Sequence, residues 1–99
     1  MNEVTMFEEL YKPEAEKKTV GIIREALRVP DDQKIESNDR LGADLGGDSI
    51  GIIEMVVDLE EAFEIKLSDD LKWESFTVGD VVRHVNNGLE NKHYEALVK

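Results

Sequence analysis

The sequence predicts one small all-α domain: a four-helix bundle of three longer helices and one short one, with a long first loop. Three observations carry this. Apolar residues recur with a helical period in three segments, at Val20, Ile23 and Leu27, at Ile52, Met55, Val56, Leu59 and Phe63, and at Val78, Val81, Val82, Val85 and Leu89. Residues suited to cap a helix (Asp48, Ser68 and Thr77) stand just ahead of predicted helices. The length of 99 residues fits one domain, with room for a few helices around a core and none for a separate catalytic domain.

In the first twelve residues, Thr5 and Glu8 have capping-box spacing, and Phe7, Leu10 and Tyr11 share one helical face. A short helix ending near Lys12 is predicted. Pro13 then suits the first turn of a new helix, with Glu14 and Glu16 near its positive end. The first main helix is read over 13–28, closed by Val29 and Pro30. Gly21 inside it costs about 1 kcal/mol against alanine and marks an expected point of close packing.

Residues 29–48 make a long connection, with Ile35, Leu41 and Leu45 spaced to pin it to the core. Gly42, Gly46 and Gly47 keep its end open to positive φ values. Asp48 is the predicted N-cap of the second main helix, its carboxylate accepting free N–H groups of the first turn. Ser49 is then the first helical residue, with its hydroxyl open to solvent. Ile52, Met55, Val56, Leu59 and Phe63 form the core stripe, while Ile50, Glu54, Val57 and Glu61 recur on the opposite face. That face is acidic with two large aliphatics in it.

After Phe63 the pattern breaks into a short extended link over 65–67, followed by Ser68 as the cap of a short helix near 69–74. Trp73 and Phe76 are expected to seal the core. Thr77 and Asp80 form another cap pair for the last helix. Asn86, Asn87 and Gly88 offer helix-ending chemistry, and the tail over 90–99 either frays or continues through Tyr94 and Leu97.

The net charge of −11 repels nucleic acid and anionic membrane and favours partners with basic patches. The absence of cysteine removes disulfides, thiolate metal sites and cysteine nucleophiles. No apolar run approaches a membrane span, and Met1, Asn2 and Glu3 do not open a signal peptide. These features predict a cytoplasmic monomer with no membrane insertion.

Read from the residues alone, Ser49 is either a helix-start serine or a modification site. A serine nucleophile needs a base within reach, and His84 and His93 lie far along the chain, expected at the surface. No catalytic residues are assigned. From Asp44 to Asp70 there are nine acids and one base, Lys66. The acids do not follow EF-hand spacing, since the twelfth position from Asp39 is Ile50, so no metal site is expected. No Gly-Lys-Ser/Thr follows the glycines, so the loop is not a phosphate loop.

The stretch Asp44-Leu45-Gly46-Gly47-Asp48-Ser49-Ile50 resembles the attachment motif of acyl carrier proteins, Asp-Leu-Gly-x-Asp-Ser-Leu. The resemblance continues through Glu54, Leu59, Glu60, Glu61 and Phe63 to Leu67, Ser68, Asp69 and Asp70, and then to Thr77 and Val78, covering roughly residues 16–91. It implies an extension at 1–12, a carrier domain at 13–91 and a tail at 92–99. It implies 4′-phosphopantetheine attached to Ser49 by a phosphopantetheinyl transferase, with Asp48 as the adjacent motif residue. Acyl intermediates would be held as thioesters for fatty-acid, polyketide or specialised lipid biosynthesis, without catalysis by the chain itself. The resemblance also implies partner contacts at Glu54, Glu60 and Glu61, and the two aliphatics of the outer face, Ile50 and Val57, are read as part of the same docking surface for acyl-transferring and condensing enzymes that carry basic docking patches. Ile52, Met55, Val56, Leu59 and Phe63 would line a cleft for the acyl chain. Gly51 departs from the pattern, standing where many fatty-acid carriers have an acid. The glycine-rich motif also resembles peptidyl or aryl carriers of nonribosomal synthesis, and an unmodified acidic interaction module is a further reading.

Overall fold

Three α-helices and one 3₁₀ turn carry the regular structure in a computed structural model that describes the backbone over 3–68 and 70–98 and side chains over 14–68 and 70–93. The helices are α1 (Glu3–Ala26), α2 (Ser49–Phe63) and α3 (Val78–Val98), with the 3₁₀ turn at Trp73–Ser75. The all-α fold expected from the periodicities is present. The expected side-chain roles of Thr5, Phe7, Glu8, Leu10, Tyr11, Pro13, Tyr94 and Leu97, and the expected place of Asp69, lie outside the described residues.

α1 is one continuous helix, not a short helix followed by a longer one. Proline fixes φ near the helical value and removes one ladder bond, so it lowers helix stability without dictating a break. The flanking Glu, Leu, Ala and Lys residues favour helix on both sides of Pro13. The helix ends at Ala26, two residues earlier than expected. Arg28 takes a left-handed conformation (φ 59°), Leu27 N–H donates to Ile23 O at 2.9 Å, and Val29 N–H donates to Arg24 O at 2.9 Å. This is the six-to-one closure that terminates many helices. The Arg24 guanidinium then holds the exit of the chain by donating to Pro30 O and, at 2.9 Å, to Gln33 O. Gly21 is not a packing point, because a Cβ there would meet nothing within 4 Å.

The long connection is tied down by its backbone. Leu41 N–H donates to Phe76 O at 3.0 Å, Gly42 N–H to Glu74 O at 3.0 Å, and Gly79 N–H to Ser37 O at 2.8 Å. Leu41 and Leu45 are buried and Ile35 is half-buried, as the spacing predicts. α1 and α2 run antiparallel: α2 begins beside Ala26, and at its far end Lys18 lies over the Phe63 ring at 5.3 Å. Ile23, Leu41, Met55, Leu59, Val81 and Val85 form the fully buried centre.

The expected short helix near 69–74 is only the 3₁₀ turn. Trp73 is buried and its Nε1–H donates to Ser68 O at 3.0 Å, so the segment folds back on itself. A six-residue segment does not recover the cost of nucleating an α-helix, and side-chain anchoring decides its path. Ser68 Oγ accepts from Asp70 N–H at 3.2 Å, closing the turn locally.

α3 opens with a reciprocal capping box. Thr77 N–H donates to Asp80 Oδ2 and Asp80 N–H donates to Thr77 Oγ1, both at 3.1 Å. The helix does not stop at Asn86, Asn87 and Gly88 but continues to Val98. Gly88 serves packing instead: a Cβ there would lie 3.0 Å from Ile65 Cδ1. Lys92 then reaches the end of α2, donating to Phe63 O at 3.2 Å, where a cation complements the helix dipole.

Candidate functional site

Local chemistry builds the site around the start of α2. Asp48 is extended (ψ 178°) and its Oδ1 accepts from Gly51 N–H at 2.8 Å, as expected of the cap. Ser49 is the first residue of α2 and is exposed. The loop before it is held rigidly. Gly47 N–H donates to Leu41 O at 2.8 Å, and a Cβ at Gly47 would lie 2.9 Å from that same oxygen, so only glycine fits. Gly46 adopts φ 71°. The Arg40 backbone N–H donates to Asp44 Oδ2 at 2.8 Å and the Arg40 guanidinium at 3.3 Å, and together they hold the Asp44 carboxyl below the usual carboxylate range. Asp44, the first acid of the motif, thus staples the loop.

From Ser49 a cleft of about 720 Å³ runs along α2. Ser49, Ile52, Ile53, Val56, Val57 and Glu60 line one side. The other side is formed by Leu71, Trp73 and Glu74, and Gly47 closes the end beside Ser49. Of the five residues expected in an acyl cleft, Ile52 and Val56 line this one. Met55 and Leu59 are fully buried behind it, and Phe63 opens onto a separate hollow with Glu14, Ala15, Lys18 and Leu89. The opposite wall escaped sequence reading, because 22 or more residues separate Leu71, Trp73 and Glu74 from Ser49. Ile53 was missed too, although its place one helical turn after Ser49 on the same face was available as a signal.

The outer face of α2 exposes Ile50 (66%), Ile53 (63%) and Val57 (44%), together with Glu54, Asp58 and Glu61. Glu60 differs from its expected neighbours on that face. It is half-buried, and its Oε2 accepts from Leu67 N–H at 2.9 Å, securing the turn that leaves α2.

His84 is not a plain surface residue. It is half-buried, stacked on Phe76 at 5.3 Å and edge-on to Trp73 at 5.2 Å. Neither His84 nor His93 lines the cleft beside Ser49. Among the described residues, no group of three or more His, Cys, Asp or Glu could hold a metal ion, and no helix is long and apolar enough to cross a membrane.

Comparison with known proteins agrees with this geometry. The family model described as "Phosphopantetheine attachment site" matches residues 17–85. An acyl carrier protein of Amoebophilus asiaticus is 36% identical over 80 residues, which are 80% of this chain and 98% of that protein. One from Wolinella succinogenes is 42% identical over 65 residues, 65% of this chain and 83% of that protein. A chloroplastic acyl carrier protein of Brassica napus is 32% identical over 81 residues, 82% of this chain but only 60% of its own length. The matched domain is one that carries 4′-phosphopantetheine on a serine. A glycine-closed loop, a capped helix start and a helical fold, matched over most of the chain by that family, lead to one conclusion: the chain belongs to the acyl carrier protein family, whose members are carriers and not enzymes.

Proposed function

We propose that Ser49 is the attachment residue for 4′-phosphopantetheine and that the chain presents acyl groups on that arm to biosynthetic enzymes. The observation that carries this reading is an exposed serine on the edge of an apolar cleft. The residues suit such a group. The hydroxyl is accessible, the Gly46–Gly47 backbone adds no bulk beside it, and aliphatic walls begin at the same point. When attached, the arm supplies a thiol that holds acyl groups as thioesters.

In attachment, the Ser49 Oγ–P bond forms as the pyrophosphate bond of coenzyme A breaks. Adenosine 3′,5′-bisphosphate leaves, and the hydroxyl proton passes to a base outside this chain. Family membership brings with it a phosphopantetheinyl transferase and acyl-handling enzymes as partners. Ile50, Glu54, Val57 and Glu61 present a mixed aliphatic and acidic surface next to Ser49, suited to basic docking patches and weakened by salt. Glu60 belongs to the same proposal through its place on the cleft edge. The carrier unit over 13–91, flanked by 1–12 and 92–99, the monomeric state, the cytoplasmic setting and service to fatty-acid, polyketide or specialised lipid synthesis are parts of the same reading.

Intact mass tests it directly. After incubation with coenzyme A, magnesium and a broad-specificity phosphopantetheinyl transferase, the chain is expected to gain one phosphopantetheinyl group. Ser49→Ala is expected to gain none while keeping its helical circular dichroism. A folded parent chain that gains nothing would make Ser49 a capping residue of an interaction module.

A further inference from the structure

A second hollow, of about 270 Å³, lies beside the start of α2 and shares no lining residue with the cleft. Arg28, Asp48, Ile50, Gly51 and Glu54 are among the residues around it. Ile50 and Glu54 stand one helical turn apart and both are exposed on the outer face of α2. Asp48 is held as the cap, its Oδ1 accepting from Gly51 N–H at 2.8 Å. Arg28 is the one basic side chain in the lining. Its guanidinium has no hydrogen bond or ion pair among the described residues, whereas the other three arginines are engaged: Arg24 with Pro30 O and Gln33 O, Arg40 with Asp44, and Arg83 with Asp80. Arg28 is exposed and sits at the left-handed end of α1 (φ 59°), where glycine would be the easier residue.

We propose that Arg28 is a specificity-determining residue of the docking face on α2. It selects partner enzymes that set a carboxylate against this hollow, and it weakens the docking of enzymes whose patch is basic throughout. A lysine or arginine brought to Glu54 beside Ile50 meets the Arg28 guanidinium in the same hollow, and like charge at that range cancels part of the attraction. A carboxylate placed there pairs with Arg28, which has no side-chain bond to give up. A repulsive element of this kind discriminates between partners as a new contact does. The inference rests on enzymes docking on this face to reach Ser49, and it adds the charge pattern of the enzymes that fit.

The test follows the loading of Ser49 by a broad-specificity phosphopantetheinyl transferase whose docking patch is basic, with KM and kcat for the chain read separately by intact mass. If the parent chain and its variants all fail to load, the carrier reading itself fails and the inference falls with it. At about 0.1 M salt, Arg28→Gln is expected to lower KM about three- to fivefold, with kcat within about 1.5-fold of the parent. Arg28→Lys keeps both the charge and the Cβ, and its KM is expected within about 1.5-fold of the parent. Lys92→Gln changes the net charge equally, but Lys92 is bonded to Phe63 O at the far end of α2, about 20 Å from Ser49. That exceeds the screening length of about 10 Å, so Lys92→Gln is expected to leave KM unchanged.

Replacing the lysines and arginines of the transferase patch by glutamate, one at a time, supplies the reciprocal arm. At least one such replacement is expected to lower KM about threefold for the parent chain and to raise it for Arg28→Gln. At about 1 M salt, where the screening length is about 3 Å, the KM advantage of Arg28→Gln is expected to disappear. An unchanged or raised KM in Arg28→Gln, on a chain that loads at Ser49, would overturn the proposal and leave the carrier reading standing. So would an equal fall in KM in Lys92→Gln or Arg28→Lys, an advantage that persists in high salt, or a patch scan in which every glutamate acts alike on the parent and on Arg28→Gln.

Discussion

Gly51 in the first turn of α2 is packed against the end of α1 at Ala26, so closely that a Cβ would lie 3.1 Å from the Ala26 carbonyl oxygen. The same Cβ would lie 3.1 Å from Leu27 Cδ2 and 3.2 Å from Asp48 Oδ1. The absence of an acid at this position therefore follows from helix packing. Gly51→Asp is expected to cost about 1–3 kcal/mol, since the carbonyl cannot move aside and a second carboxylate would crowd the cap. Gly21 supplies the contrast, because it is exposed with nothing near its Cβ. Gly21→Ala is expected to gain about 1 kcal/mol, and urea unfolding of the two variants checks both signs.

Arg28 holds a left-handed conformation (φ 59°) at the end of α1. That conformation costs a residue with a Cβ about 1–2 kcal/mol, part of which glycine returns through greater freedom in the unfolded chain. Arg28→Gly is expected to raise stability by about 0.5–1 kcal/mol. A midpoint that falls in urea would show that the Arg28 side chain contributes more than its backbone costs.

Thr19 is fully buried on α1, and its Oγ1 has no hydrogen-bond partner among the described residues. A buried hydroxyl without a partner costs about 1–3 kcal/mol, and valine has nearly the same shape without that cost. Thr19→Val is expected to stabilise the domain by about 1 kcal/mol. Thr19→Ser, which keeps the hydroxyl and loses a methyl, is expected to destabilise it. Thermal melts of the pair separate the hydroxyl from the packing.

Acid should loosen the fold through Asp44 and Asp80. The Arg40 backbone N–H lowers the pKa of Asp44 and the Thr77 backbone N–H lowers that of Asp80, with further help from the Arg40 and Arg83 side chains. Each folded carboxyl thus titrates below its unfolded value of about 3.9. The stability they contribute is complete above that value and is lost as pH falls through the folded pKa. Urea midpoints below about pH 4 should fall less steeply in Asp44→Asn and Asp80→Asn than in the parent chain, and an unchanged slope would remove these groups from the acid response.

What lay within one turn of helix was legible. Asp48 was readable as a cap because the cap bond spans three residues, and the Thr77 and Asp80 box for the same reason. The α2 core stripe was readable because its period is a property of one helix, although Phe63 is only half-buried. Pro13 misled because a local preference against helix was outweighed by its flanks, and Gly88 because packing against Ile65 also selects glycine.

By itself, the sequence determined the all-α class, the exposed Ser49 at a capped helix start and the acidic face of α2, since each depends on residues a few positions apart. Tertiary structure alone decided which residues face one another across the cleft. It brought Leu71, Trp73 and Glu74 opposite α2, drew Glu60 into a bond with Leu67 and forced glycine at position 51. The physical reason is that a helix fixes the spacing of its own side chains, whereas the partner across a groove is set by how separate segments pack and which backbone groups they satisfy.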